Sequence, residues 1–198
     1  MLTFAAAVFF LIATPGPGVL SAAGIGSSYG YRAGIAYIGG LCIGNAIVGG
    51  LVVSGLAAIA LAFAPLRIAL AIATTLYFAY LASRIAFAGA RVGFIHPATS
   101  PGLKDGILLQ FINPKAYAVN TFLFAGFSLG LSSEMTEVLV KFLIFNAIWI
   151  PLHLVWLSAG VMIQRMELGP RTQRRVNYAM AIALLCVVGL SLRATIAP

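Results

Sequence analysis

Two stretches of the chain set groups capable of chemistry inside otherwise apolar runs. The first is Thr14-Pro15-Gly16-Pro17-Gly18. Pro15 and Pro17 have no N–H, so in a helix they leave the carbonyls of Leu11 and Ala13 without donors. Each proline also pushes its predecessor, Thr14 or Gly16, out of the helical region. A bare carbonyl is costly in hydrocarbon, so such a break persists only where protein or a water-filled cavity covers it. The pattern predicts a discontinuous helix whose loose carbonyls meet a cationic group. The helix start that follows, near Val19 to Ser21, meets an anion. A plain proline kink that shapes packing is the simpler alternative.

The second stretch is Gln110-Phe111-Ile112-Asn113-Pro114-Lys115-Ala116. Pro114 frees the carbonyl of Gln110, and Asn113 brings both a donor and an acceptor. Lys115 is the single formal charge deep in any apolar segment. Counting from Gly106 at about 1.5 Å per residue, it lies about 14 Å in, where a lysine without a partner costs about 3 kcal/mol. Its expected role is to hold a substrate carboxylate; the alternative is snorkelling to the headgroups. Asn45, in the second apolar segment, suits either a substrate or a helix–helix hydrogen bond. The expected substrate-binding set is therefore Pro15, Gly16, Pro17, Gly18, Asn45, Gln110, Asn113, Pro114 and Lys115.

The same segments contain no carboxylate. Asp105 stands at the mouth of the fourth segment, Glu134 and Glu137 in an outer loop and Glu167 in an inner one. The buried acid relay common in proton-coupled carriers is thus missing. His153 and Asp105 remain as proton-coupling candidates, His153 also reading as a neutral histidine that bonds across helices. Gly30/Gly34, Gly40/Gly44 and Gly126/Gly130 have the small-xxx-small spacing of close helix packing. Tyr77 and Tyr80 read as interfacial anchors, with a pore-lining role as the alternative. Cys42 and Cys186 form no CxxC and have no neighbouring histidine, so neither a metal site nor a disulfide framework is expected, nor any cofactor.

These residues must be held by membrane helices. Of 198 residues, 62% are hydrophobic and 8% charged, and mean hydropathy is +1.05. That leaves too little polar surface for a water-soluble globule, and excludes a cytosolic enzyme, a nucleic-acid binder and a disordered chain. Runs of about 20 apolar residues mark six helical segments: 2–23, 35–61, 66–88, 106–129, 138–162 and 176–192. They are continuously apolar rather than alternating, so a β-barrel is not expected. The fold class expected is all-α, a polytopic membrane bundle forming one transmembrane domain over 1–198. Its halves, about 1–90 and 106–198, are joined by a cytoplasmic loop 91–105. Proline-bearing first segments in both halves, and an odd number of segments in each, make a 3+3 inverted repeat the expected architecture.

The charge of +8 falls at segment ends, where it reads as topology signal and lipid anchor rather than as a polyanion site. Arg32, Arg84, Arg91, Lys104, Arg165, Arg171, Arg174 and Arg175 fall on one side, and Arg67, Lys141 and Arg193 on the other. The richer side is assigned to the cytoplasm, with both termini outside. If the first segment is instead re-entrant, the N-terminus lies inside. The start lacks a basic n-region, so the first segment is expected to be retained.

Taken together, LIATPGPGVL (11–20), GYRAGIAYIGGLCIG (30–44), YFAYLASR (77–84), QFINPKA (110–116) and RRVNYAMAIALLCVVGLSLRA (174–194) resemble the LysE/RhtB family of bacterial amino-acid exporters. The resemblance covers nearly the whole chain, and Pro15, Gly16, Pro17, Asn113, Pro114 and Lys115 match the family's signature positions. It implies a non-enzymatic, multi-pass inner-membrane carrier that exports amino acids or their derivatives, with the proton motive force as driver. The implied partners are a small-molecule substrate and the lipid bilayer, with no nucleic acid; a homo-oligomer is compatible with the glycine spacing. One departure is clear: many relatives carry aspartate where this chain has Asn45 after Gly40 to Gly44, which bears on coupling. The rival readings are a passive small-solute channel and a membrane thiol-disulfide carrier, the latter lacking a cysteine-pair motif.

Overall fold

The computed structural model describes residues 1–87, 100–166 and 168–196, so most of the expected loop 91–105 and Glu167 lie outside the described residues. Eight helices account for nearly all of what is described: α1 Leu2–Ala13, α2 Pro17–Val53, α3 Leu56–Ala62, α4 Ala64–Ala86, α5 Leu103–Ile112, α6 Pro114–Gly126, α7 Glu134–Arg165 and α8 Pro170–Ile196. By length and composition α2, α4 and α7 can each cross a membrane, and α1 is a shorter apolar helix.

The second helix is not one rod. Gly30 has φ 81° and ψ −175°, and Tyr37 Oη donates to Ser21 Oγ at 2.9 Å across a separation of 16 residues. In a straight helix those residues stand about 24 Å apart. The chain therefore turns back on itself at Gly30, giving legs 17–29 and 31–53, and the positive φ makes glycine the natural residue at the turn. This corrects the expected connection over Gly24 to Gly34, because helix persists to within one residue of the turn on both sides. Serines at 27 and 28 look loop-forming in isolation, but Ser27 is buried against the bundle and accepts a long hydrogen bond from Gln173 at 3.5 Å.

Other boundaries shift as well. The expected segment 35–61 ends at Val53, where Ser54 and Gly55 (φ 77°) lead into the short α3. Two segments contain breaks: residues 14–16 divide α1 from α2, and Asn113 divides α5 from α6. Each break is followed by a proline in the first turn of the next helix, where a missing N–H does no harm.

The hairpin α2 lies at the centre, packed on α7, α5, α6 and α8, while α4 packs on α8. Phe4 and Val8 of α1, Ile25, Tyr37 and Leu41 of α2, Phe78 and Leu81 of α4, and Phe145 and Leu157 of α7 form one continuous core. The expected glycine contacts hold for Gly40 and Gly44, which pack directly on the backbone of α5 at Leu103 and Ile107. They do not hold for Gly126 and Gly130. Gly126 meets only its own Phe122 and Gly130 meets nothing, because both lie where α6 ends and the chain turns with Gly130 at φ 70°.

Polarity is distributed inside out. Ile59 (73%), Leu143 (71%) and Met162 (70%) are exposed, whereas Asn120 (0%) and Gln110 (3%) are buried. Water would not tolerate so much apolar surface, but lipid requires it, and lipid also drives polar side chains inward to find one another.

Candidate functional site

The two breaks meet. Lys115, in the first turn of α6, sends its ammonium to the Thr14 carbonyl at 2.8 Å, so the charge of the second break satisfies an orphan carbonyl of the first. Of the first break's carbonyls, the one engaged is Thr14's rather than Leu11's or Ala13's. Gly16 makes the approach feasible: a Cβ there would lie 2.8 Å from both Cδ and Nζ of Lys115.

The local chemistry of the two breaks differs. At the second, Asn113 caps α6, its Oδ1 accepting from Lys115 N at 3.1 Å, while its Nδ2 donates to Gln110 Oε1 at 3.2 Å. The Gln110 carbonyl, deprived of a donor by Pro114, accepts from Asn113 N at 3.3 Å. Tyr117 Oη donates to Phe111 O at 2.9 Å, and the Thr74 hydroxyl of α4 reaches Ile112 O. At the first break the cap of α2 is Gly16, extended at φ −145° and with no side chain to offer. The first N–H groups of a helix have no intrahelical acceptors, so those of Gly18 and Val19 form the positive end of the α2 dipole.

A recess of about 390 Å³, counting its open mouth, opens between these breaks. Thr14, Gly16, Gly18, Asn45, Gln110, Asn113, Lys115 and His153 supply its polar lining. Six of the nine expected binding residues (Gly16, Gly18, Asn45, Gln110, Asn113 and Lys115) thus share one cavity. Pro15, Pro17 and Pro114 lie in the breaks and shape them without lining the recess. The apolar lining comes from Ile12, Val19, Ala116, Val119, Phe145 and Trp149.

His153 bonds within its own helix rather than across helices. Its Nδ1 lies 2.9 Å from Trp149 O, and its ring stacks on Trp149 with centroids 3.5 Å apart. A carbonyl only accepts, so Nδ1 carries a proton, and in the neutral ring Nε2 keeps a lone pair. That lone pair faces the start of α2, since a Cβ on Gly18 would stand 3.2 Å from Nε2. Asp105 is placed elsewhere: its Oδ2 accepts from Gly102 N at 2.8 Å at the start of α5, its carbonyl accepts from Tyr77 Oη at 2.8 Å, and it does not line the recess. Tyr77 is thereby engaged between helices, while Tyr80 is exposed beside Arg84.

Sequence reasoning missed Asn120. It is fully buried on α6 and donates to Asn45 Oδ1 at 3.0 Å and to Ala116 O at 2.8 Å. The signal was the one that singled out Asn45, an amide within an apolar run. Asn45 thus both lines the recess and ties α2 to α6. Lys141, read from sequence as a topology marker, is buried too. It donates to Phe124 O at 3.1 Å and to Phe127 O, and pairs with Glu137 at 2.8 Å, so it closes the C-terminal end of α6. Cys42 and Cys186 are free thiols. Among the described residues no group of three or more His, Cys, Asp or Glu is placed to hold a metal.

A family model described as LysE type translocator matches residues 9–195. No curated protein and no solved structure matches the chain.

Proposed function

Because the chain belongs to the LysE type translocator family, and so moves solutes across membranes, we propose that it is a secondary active exporter of amino acids or their derivatives across the bacterial inner membrane, driven by the proton motive force. The observation that carries this reading is the bond from Lys115 to the Thr14 carbonyl, which draws two broken helices from opposite halves onto one recess. In this reading α1 with leg 17–29, leg 31–53, α3 with α4, α5 with α6, α7 and α8 are six spans arranged as a 3+3 inverted repeat.

The substrate carboxylate takes Lys115 from Thr14 and lies against the free N–H groups at the start of α2. The substrate ammonium faces the loose carbonyls of the first break and the Nε2 lone pair of His153. Binding thereby replaces the bond that ties Lys115 to the opposite break, one of several contacts between the halves, and so shifts the balance toward the state that exposes the site to the other side. A proton arriving at Nε2 turns that lone pair into a donor and repels both Lys115 and the substrate ammonium. This makes His153 the proton-coupling group and proton entry the step that expels substrate. Asp105, holding the start of α5, is left a structural part.

The test is release of labelled amino acids, loaded as dipeptides, from cells expressing the wild type or the His153→Gln variant with insertion verified. Uphill release by the wild type, abolished by an uncoupler, is expected, with its dependence on external pH flattened in the variant. Release that only runs downhill and ignores the uncoupler would replace this reading with the passive channel.

A further inference from the structure

The recess carries its charged and titratable groups at one end only; further in, its polar lining is the neutral amide of Asn45, held by Asn120 beside Val119. Along α7, Phe145, Trp149 and His153 recur every four residues and so lie on one helical face. At about 1.5 Å per residue, Phe145 lies about 12 Å along the axis from His153. The groups suited to an α-amino acid's backbone, namely Lys115, His153 and the start of α2, cluster at the level of the breaks. From there α6 contributes Ala116 and then Val119 while α7 contributes Trp149 and then Phe145, so the walls turn apolar. All four are buried, with Phe145 at 0% exposure.

No carboxylate lines this compartment among the described residues. Of the four acids in the chain, Asp105 holds the start of α5, Glu137 is paired with Lys141, Glu134 sits at the first residue of α7, and Glu167 lies outside the described residues. One turn beyond Phe145 on the same stripe stands Lys141, with its ammonium already on Phe124 O, Phe127 O and Glu137. A second cation on the substrate would thus meet aromatic and aliphatic walls and the neutral Asn45 amide, and further on a lysine and a carboxylate already paired with each other. A second carboxylate would find no free cation.

We infer that the exported class is the amino acids with uncharged, apolar side chains, and that dibasic amino acids are excluded by the Ala116–Val119–Phe145–Trp149 compartment. This rests on the exporter reading above and assigns the specificity of its site. Val119 and Ala116 set the depth available to the side chain. A carboxylate introduced at Val119 supplies the missing counter-charge.

The full chain in proteoliposomes, exchanging labelled L-leucine, provides the test. Unlabelled L-methionine and L-valine are expected to compete as L-leucine does, and L-lysine and L-glutamate at least about tenfold more weakly, because an uncompensated charge at a buried apolar wall is costly. In Val119→Asp, competition by L-lysine is expected to rise relative to L-leucine. Exchange of L-lysine equal to or better than L-leucine by the wild type overturns this inference and leaves the exporter reading standing. Absence of exchange with every amino acid, in correctly inserted protein, removes both.

Discussion

The two helix breaks solve the same problem in opposite ways. At the second, side chains answer the break: Asn113 caps α6 and Tyr117 takes the carbonyl of Phe111 from nearby, while the Thr74 hydroxyl reaches Ile112 O from α4. At the first, the cap is Gly16 with no side chain, and the Thr14 carbonyl is answered by the charge of Lys115 from the other break. A break whose groups are already paired by neutral side chains is rigid and gains little from a ligand. A break with free N–H groups and a carbonyl held by a borrowed charge can exchange its partners for those of a substrate. The second break is accordingly the scaffold that aims Lys115, and the first is the surface it is aimed at.

The sharpest way to break that division is Lys115→Ala. On the proposed function, removing the ammonium strips the carboxylate site and the tie between the two breaks together. A hydrogen bond made by a charged group is worth about 1.5 to 3 kcal/mol. Export is therefore expected to fall by about a hundredfold, equivalent to about 2.7 kcal/mol. Initial efflux rates, compared at equal membrane levels of protein, check it. Unchanged efflux from a folded variant would detach Lys115 from the substrate.

Gly16→Ala probes the first break without touching the charge. The new methyl would stand 2.8 Å from Lys115 Cδ and Nζ, and relief comes by swinging the flexible lysine end off Thr14. The expected result is an efflux loss of about tenfold, roughly 1.4 kcal/mol, with a melting temperature close to wild type. A large fall in melting temperature with efflux preserved would make Gly16 a packing residue.

Both breaks were legible in the sequence because they violate a rule: Pro15, Pro17 and Pro114 deny donors where hydrocarbon offers no replacement, and Lys115 is a charge where charge is expensive. Violations of that kind announce a site. What they do not announce is the partner. Nothing local to Asn45 says that it meets Asn120. Nothing local to Lys141 distinguishes a headgroup anchor from a buried cap on α6. The turn at Gly30 was hidden for a related reason. Glycines and serines over 24–34 look like a loop to local propensity, yet Gly24 packs against Ile85 and Gly26 against Leu157, so tertiary contact keeps the backbone helical up to a single residue. Continuous apolar runs located the helices, but their ends were set by contacts far along the chain.

The smallest expected effect comes from Asn113→Ala, which tests whether the second break is scaffold. The substitution removes the α6 cap to Lys115 N and leaves Gln110 Oε1 without the amide it accepts from. Loss of an N-cap costs about 1 kcal/mol, and it falls on stability first, because the cap orders the turn that carries Lys115. The variant is expected to melt a few degrees lower in detergent while keeping efflux within about threefold of wild type, less than half the free-energy change expected for Gly16→Ala. Restoring the cap with Asn113→Asp should recover part of the melting temperature, since aspartate caps as well as asparagine but has no N–H to give Gln110 Oε1. If it does so but depresses efflux, the reason is electrostatic: a carboxylate at the start of α6 would hold the Lys115 ammonium away from Thr14, and the scaffold would be shown to act on the working break through that one charge.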